Sequence, residues 1–197
     1  MMTISKAAAF LEKAYDTLNK QYFESALPKA IITIQSRPGC YGHFTCFDAW
    51  SDPAKKYKEI NISAETLNRP ISNTIATLLH EMVHFYCYLN KIQDTSRSGR
   101  YHNKFFKDEA EKRGLIIEYD KTIGWSVTTP SPELKSFVNA MKWKKITLSR
   151  GMEIKDKGKK PSSTRKYECP CCGMSVRATR DVRIACMECD EVMQKAC

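Results

Sequence analysis

No stretch of the chain approaches the roughly 20 consecutive apolar residues that a membrane-spanning helix needs. Near the N-terminus the one uninterrupted apolar run is Ala7 to Leu11, cut off by Glu12, so no secretory signal is expected and no membrane partner. Histidine is scarce, with four in 197 residues. Cysteine is not scarce, but its total of nine is odd and five fall between Cys169 and Cys189 in paired spacing. Without a signal peptide that pattern disfavours a disulfide scaffold and points to reduced thiols, some holding metal, in a soluble cytoplasmic protein. Cys40, Cys46 and Cys87 lie among apolar residues and read as small buried hydrophobes, with Cys197 a free terminal thiol. The length and a hydrophobic content of 42% suit one main domain with a real core plus a small appendage.

The rest of the chain is organised around His80-Glu81-Met82-Val83-His84, set in the apolar run from Ile75 to Leu89. Histidines four apart on a helix project from one face a turn apart, so both imidazoles can reach a single ion. Glu81 follows the first of them and can take a proton from a zinc-bound water on the ion's open side. Ile75, Leu78, Leu79, Met82, Val83, Phe85 and Tyr86 cover most of the helix circumference, which predicts burial and neutral imidazoles. The competing account is an apolar core helix that happens to carry two histidines; it gives Glu81 no task.

A catalytic zinc requires a third protein ligand. The extended pattern HExxHxxGxxH would need Gly at 87 and His at 90, where this chain has Cys87 and Asn90. His102, beyond a polar loop and just before Phe105, Phe106 and Ala110, is the favoured third ligand over the carboxylate of Glu109, while His43 reads as a strand side chain. For an oxyanion-stabilising group the sequence offers only Tyr101 and His43.

Apolar positions from Ile4 to Tyr22 recur at helical spacing, ending near Pro28. Ala30 to Gln35, the aromatic-rich Tyr41 to Trp50 and Lys58 to Ser63 read as strands of a small sheet. Ser72 or Asn73 is expected to cap the metal helix after Pro70. Leu115 to Tyr119 reads as a further strand and Pro132 to Lys142 as a short helix. The organisation expected is α+β: a domain over 1–141 with helices packed on a small sheet, a linker over 142–166, and a small four-cysteine zinc ribbon over 167–197. Of the net charge of +10, the linker carries ten Lys and Arg against two Asp and Glu. That density can neutralise several phosphates of a nucleic acid, or keep a solvated linker extended by self-repulsion.

Cys169-Pro170-Cys171-Cys172-Gly173 and Cys186-Met187-Glu188-Cys189 form two knuckles that suit four thiolates closing a tetrahedral structural zinc site. Cys169, Cys172, Cys186 and Cys189 are the expected ligands, leaving Cys171 spare. A closed site is not catalytic, and Arg177, Arg180 and Arg183 on the same segment offer a surface for nucleic acid.

In Tyr15 to Pro28, Tyr41-Gly42 before Trp50, His80 to His84, His102-Asn103-Lys104-Phe105-Phe106 and the terminal ribbon, the chain resembles the SprT-like zinc metalloproteases, which include the eukaryotic Spartan proteases. The resemblance covers nearly the whole chain. It implies a zincin-like fold, one catalytic zinc held by His80, His84 and His102, Glu81 as the catalytic base, and an edge strand over Tyr41 to Trp50 that pairs with an extended substrate. Spartan-type relatives act on proteins attached to DNA. Two functions are therefore carried forward: a zinc endopeptidase acting on DNA-bound or DNA-crosslinked protein, and a nucleic-acid-binding regulatory protein with a zinc-held fold and little protease activity.

Overall fold

The computed structural model describes residues 1–151 and 164–196, which fall in two compact units, Met1–Met152 and Glu153–Cys197. In the first, α1 (Ile4–Phe23) starts where the Thr3 hydroxyl accepts the Lys6 N–H at 3.3 Å. It buries Ala7, Leu11, Ala14, Tyr15 and Leu18; of the positions that the spacing selects, Ile4 is exposed and Ala8 and Tyr22 are half-buried, so the buried stripe passes through Ala7 at the start of the helix. Beyond its end the Asn19 side chain donates to the Leu27 carbonyl and accepts the Leu27 N–H, at 2.8 and 3.1 Å. The Tyr15 hydroxyl also donates to the Pro28 carbonyl at 2.6 Å, which aims the chain into the first sheet.

That sheet consists of β1 (Ile31–Gln35), β2 (Gly42–Ser51) and β3 (Lys56–Ser63) in the order β1-β3-β2, with β3 parallel to β1 and antiparallel to β2. The register slips after Thr45, and the second half of β2 is exposed. Cys46 is therefore exposed and Cys40 half-buried, contrary to the expectation for both, because the turn before β2 and its distal half lie away from the core; Cys87 is buried as expected.

A 3-10 turn (Ala64–Thr66) leads to α2 (Ile71–Leu89). Neither Ser72 nor Asn73 caps it. Pro70 stands at the cap position, and its carbonyl already accepts from Asn73 and Thr74 at 2.9 and 3.2 Å, so both expected caps fall inside the first turn. Burial holds the helix instead: Ile75, Leu78, Leu79, Met82 and Val83 are wholly inaccessible, and truncating Ile75, Leu78, Leu79 or Met82 to alanine costs about 2–5 kcal/mol.

The chain continues through β4 (Thr95–Ser96), β5 (Tyr101–His102), α3 (Lys104–Glu111), β6 (Leu115–Asp120), β7 (Gly124–Pro130) and α4 (Pro132–Ala140). The four strands form a second sheet in the order β4-β5-β7-β6. No strand is expected over 124–130, where the run GWSVTTP carries few apolar positions and lacks clear alternation; pairing with β6 and β5 defines β7. Helix α2 touches β2 and β3 of the first sheet and β7 of the second, and packs on α1, α3 and α4. The fold is thus α+β, built around the helix that carries the histidine motif.

Residues 142–151 lie on this unit: Ile146 is buried, Trp143 and Leu148 pack against the core, and the Arg150 N–H donates to the Ala64 carbonyl at 2.9 Å. The remainder of the expected linker over 152–163, and Cys197, lie outside the described residues. The second unit contains β8 (Arg165–Glu168), β9 (Ser175–Ala178), β10 (Ala185–Cys186), β11 (Glu191–Val192) and β12 (Gln194–Lys195), arranged as a β12-β8-β9 sheet and a β10–β11 ladder. Its buried core comprises Tyr167, Cys169, Cys186 and Met193, so two of its four members are thiols. Among the described residues no helix is long and apolar enough to cross a membrane.

Candidate metal centres

His80 and His84 stand one turn apart on α2, and β5 brings His102 to them. Two features place His102. The chain at Asn103 is pinned, its side chain accepting from the Phe105 and Phe106 N–H groups to start α3 and donating to the Gln93 carbonyl at 2.6 Å. On the other side, His102 pairs with Gly124 of β7 and donates its main-chain N–H to the Ile123 carbonyl at 2.9 Å. Gly124 has φ +75°, and a Cβ there would lie 2.1 Å from the His102 carbonyl oxygen, so this approach requires glycine.

The three Nε2 atoms converge, 3.2 Å apart for His80 and His102, 3.2 Å for His80 and His84, and 3.0 Å for His84 and His102. Beneath them the Phe106 ring packs against all three imidazoles, with centroids 4.5, 4.6 and 4.7 Å away. The hydrogen bonds fix two of the tautomers. Asp94 Oδ2 accepts the Nδ1–H of His84 at 2.5 Å. Thr128 Oγ1 lies 2.7 Å from His80 Nδ1 and 3.0 Å from the Ser126 carbonyl oxygen; with its proton directed to that carbonyl, it accepts the Nδ1–H of His80. Both imidazoles therefore present the Nε2 lone pair to the centre.

Burial first, and then the neighbouring imidazoles, hold His80 well below the usual histidine range; burial and His84 bring His102 down to about 4. Protonation does not relieve the crowding of lone pairs. A divalent cation would: zinc–nitrogen bonds of about 2.0–2.1 Å in tetrahedral array put ligand nitrogens about 3.3 Å apart, close to the spacing seen. His102 Nδ1 has no hydrogen-bond partner among the described residues.

Glu81 is buried on the same turn of α2, where burial pushes its carboxyl up to about 7 against the opposing effects of His84, the Phe44 N–H that donates to it, and Arg37. A carboxyl poised near neutrality beside a three-histidine cluster can both accept and return a proton. Glu109, the alternative third ligand, is committed elsewhere: it accepts from Lys112 Nζ and Arg113 Nη1, each at 2.6 Å. His43 lies half-buried on β2, and the Tyr101 hydroxyl is paired with that of Tyr119 at 3.0 Å.

In the second unit the sulfurs of Cys169, Cys172, Cys186 and Cys189 lie within 4.8 Å of one another, and those of Cys172 and Cys186 are 3.7 Å apart. Tetrahedral zinc with bonds of about 2.3 Å sets sulfurs about 3.8 Å apart. Main-chain N–H groups of Cys172 and Cys171 bring the Cys169 thiol down to about 7, so a thiolate forms readily there. After each knuckle the chain turns through the left-handed region, at Gly173 with φ +72° and at Asp190 with φ +54°. Aspartate is among the side chains that tolerate this conformation.

A family model for the SprT-like family matches residues 11–121. The chain belongs to the SprT-like family. That match spans most of α1, the first sheet, α2, α3 and β6, and so encloses His80, His84, His102 and Glu81, identifying the first unit as a metalloprotease-type, zincin-like domain. No curated protein matches the chain. Sequence reasoning about this SprT-like domain missed Asp94 and Thr128, the two groups that orient His84 and His80. Asp94 sits in a polar loop and Thr128 on the unexpected strand, and neither has a spacing that ties it to the motif; the position of Asp94 ten residues after His84 in an otherwise polar stretch is the only signal present.

Proposed function

We propose that the chain is a zinc-dependent endopeptidase that acts on DNA-associated or DNA-crosslinked proteins. The observation that carries this reading is Glu81: a buried carboxyl, raised to about 7, on the helix that carries two of the three converging imidazoles, with His102 brought to them by β5. In this reading His80, His84 and His102 hold a catalytic zinc, and Cys169, Cys172, Cys186 and Cys189 hold a structural one. Zinc at the histidine site supplies a Lewis acid that polarises the scissile carbonyl and makes water acidic near neutral pH.

The chain's own residues do the rest. Glu81 takes the proton from the attacking water and delivers it to the leaving amine. Asp94 and Thr128 keep the imidazoles of His84 and His80 turned inward. Strand β2 is an outer strand of its sheet and packs on α2 beside Glu81, so an extended peptide can pair along it within reach of the base. The basic segment 142–166, by its charge, and the exposed Arg177, Arg180 and Arg183 of the ribbon are the parts of the chain assigned to DNA. The free thiols among the described residues accord with a cytoplasmic setting.

The test is metal content together with cleavage of a DNA-binding protein, for wild type and Glu81→Gln, with and without single-stranded and duplex DNA. Two zinc ions per chain, DNA-stimulated cleavage and loss of cleavage in Glu81→Gln are expected. One zinc ion, held by the ribbon alone, with no cleavage under any condition would replace this reading with a nucleic-acid-binding regulatory protein.

A further inference from the structure

We propose that Gly42 is a positioning residue for Glu81: the absence of a side chain at this point of β2 fixes where the carboxylate of the base can sit. The inference rests on the role given to Glu81 above. A Cβ at Gly42 would lie 2.7 Å from Glu81 Oε1, 3.0 Å from Glu81 Cγ and 2.9 Å from Thr77 Cγ2. All three are shorter than ordinary van der Waals contact. The backbone of Gly42 is not in the left-handed region, so alanine is acceptable to the main chain and the conflict lies with side chains alone.

Thr77 cannot retreat. Thr77 accepts from Arg69 Nη2 at 2.8 Å and donates to the Asn73 carbonyl at 3.1 Å. Arg69 in turn donates to the Thr66 carbonyl at 3.0 Å and stacks over Tyr41 at 3.9 Å. The strand is held on its other side, since Gly42 is in register with Ile62 and the Ser63 N–H donates to the Tyr41 carbonyl at 2.9 Å. What can move is the end of the Glu81 side chain. Two residues along β2, the Phe44 main-chain N–H acts on that carboxylate as a donor. One strand thus supplies a main-chain donor at 44 and an opening at 42, both acting on the same carboxylate.

The experiment compares wild type, Gly42→Ala and Gly42→Ala/Thr77→Ser in the full chain loaded with zinc. The readouts are kcat and KM, zinc stoichiometry, and the amide resonance of Phe44. Gly42→Ala is expected to keep both zinc ions and a KM within about twofold, and to lose roughly 10²-fold in kcat, the scale of a misplacement of about 1 Å. Its Phe44 resonance should move as it does in Glu81→Ala. Thr77→Ser removes the methyl group but keeps both hydrogen bonds, so the double variant should regain about tenfold in kcat.

A wild-type kcat in Gly42→Ala, loss of the histidine-site zinc along with activity, or a double variant no better than the single one would each overturn the proposal. Should wild type cleave nothing, the protease reading is what fails. The positioning claim is then decided by the Phe44 resonance, and an unmoved resonance in Gly42→Ala ends it.

Discussion

The two candidate metal centres each have donor atoms at a spacing that suits a tetrahedral ion, and they are supported in opposite ways. The histidine cluster sits on the most buried helix of a unit with a large apolar core, on a floor made by Phe106, and each of its two helical ligands is oriented by a further side chain. The cysteine cluster sits in a unit whose buried core has, among the described residues, four members, two of them candidate ligands. In the first, the fold holds the site; in the second, the site holds the fold. A catalytic ion needs a rigid frame with one side left open, whereas a structural ion can supply the folding energy that a short segment lacks.

Removing a ligand from each centre exposes the contrast most strongly. Cys186→Ser is expected to forfeit a large part of the roughly 10–16 kcal/mol that structural zinc contributes, seen as collapse of amide dispersion over 164–196. His102→Ala, by contrast, should cost the histidine site its zinc while the cooperative unfolding of the first unit survives. All three tryptophans, Trp50, Trp125 and Trp143, lie in that unit and report on it by fluorescence. If His102→Ala also abolished the tryptophan transition, the claim that the fold holds this site would be lost.

Gly124→Ala comes next. Its clash with the His102 carbonyl and its positive φ should cost about 2–4 kcal/mol and one zinc ion per chain, measurable by urea titration and metal analysis. Asp94→Asn and Thr128→Val should each weaken zinc at the histidine site by about 10–100-fold, read by competition with a chelator, with the ribbon's affinity unchanged.

The subtlest expected effect concerns pH in the metal-free first unit. The folded Glu81 carboxyl, raised from 4.5 to about 7, binds a proton that the unfolded chain releases in this range, so it adds stability as pH falls from 7 to 5 and loses it as pH rises through 7. His102, lowered from 6.5 to about 4, acts in the opposite sense, its contribution being present above 6.5 and lost as pH falls towards 4. The two oppose each other in wild type. Glu81→Gln removes the first, and the metal-free variant should lose about 2 kcal/mol more than wild type between pH 7 and pH 5. Equal losses, followed by tryptophan fluorescence in urea, would refute the assignment.

The parts of this molecule legible in its sequence are those governed by local period. The four-residue step from His80 to His84, the apolar circumference of α2 and the two-residue gaps of the cysteine knuckles each put ligands together without reference to distant chain. His102 can be chosen because few histidines exist. The rest is set by tertiary pairing. Strand β7 has too few apolar side chains to announce itself, and it is defined by the neighbours that hydrogen-bond to it. With it go Thr128 and the reason for Gly124. The start of α2 differs from expectation for a related reason: cap preference favours Ser72 and Asn73 locally, yet the Pro70 carbonyl takes the first turn's amides.

One loop carries a consequence for changing the protein. Between Asp94, which orients one ligand, and Asn103, which follows another, the chain makes an excursion through the paired β4 and β5, with a tip at Arg97, Ser98 and Gly99 where all three residues have positive φ. Its neck is tied by the Asn103 N–H to the Asp94 carbonyl at 3.0 Å and by the Asn103 side chain to the Gln93 carbonyl. The centre draws on the two ends of this excursion and on nothing at its tip, where a Cβ at Gly99 would meet no atom within 4 Å. The tip is therefore a handle: a short peptide tag inserted after Ser98 should leave the zinc count unchanged, and a dye attached there would sit a few residues from the metal without touching it.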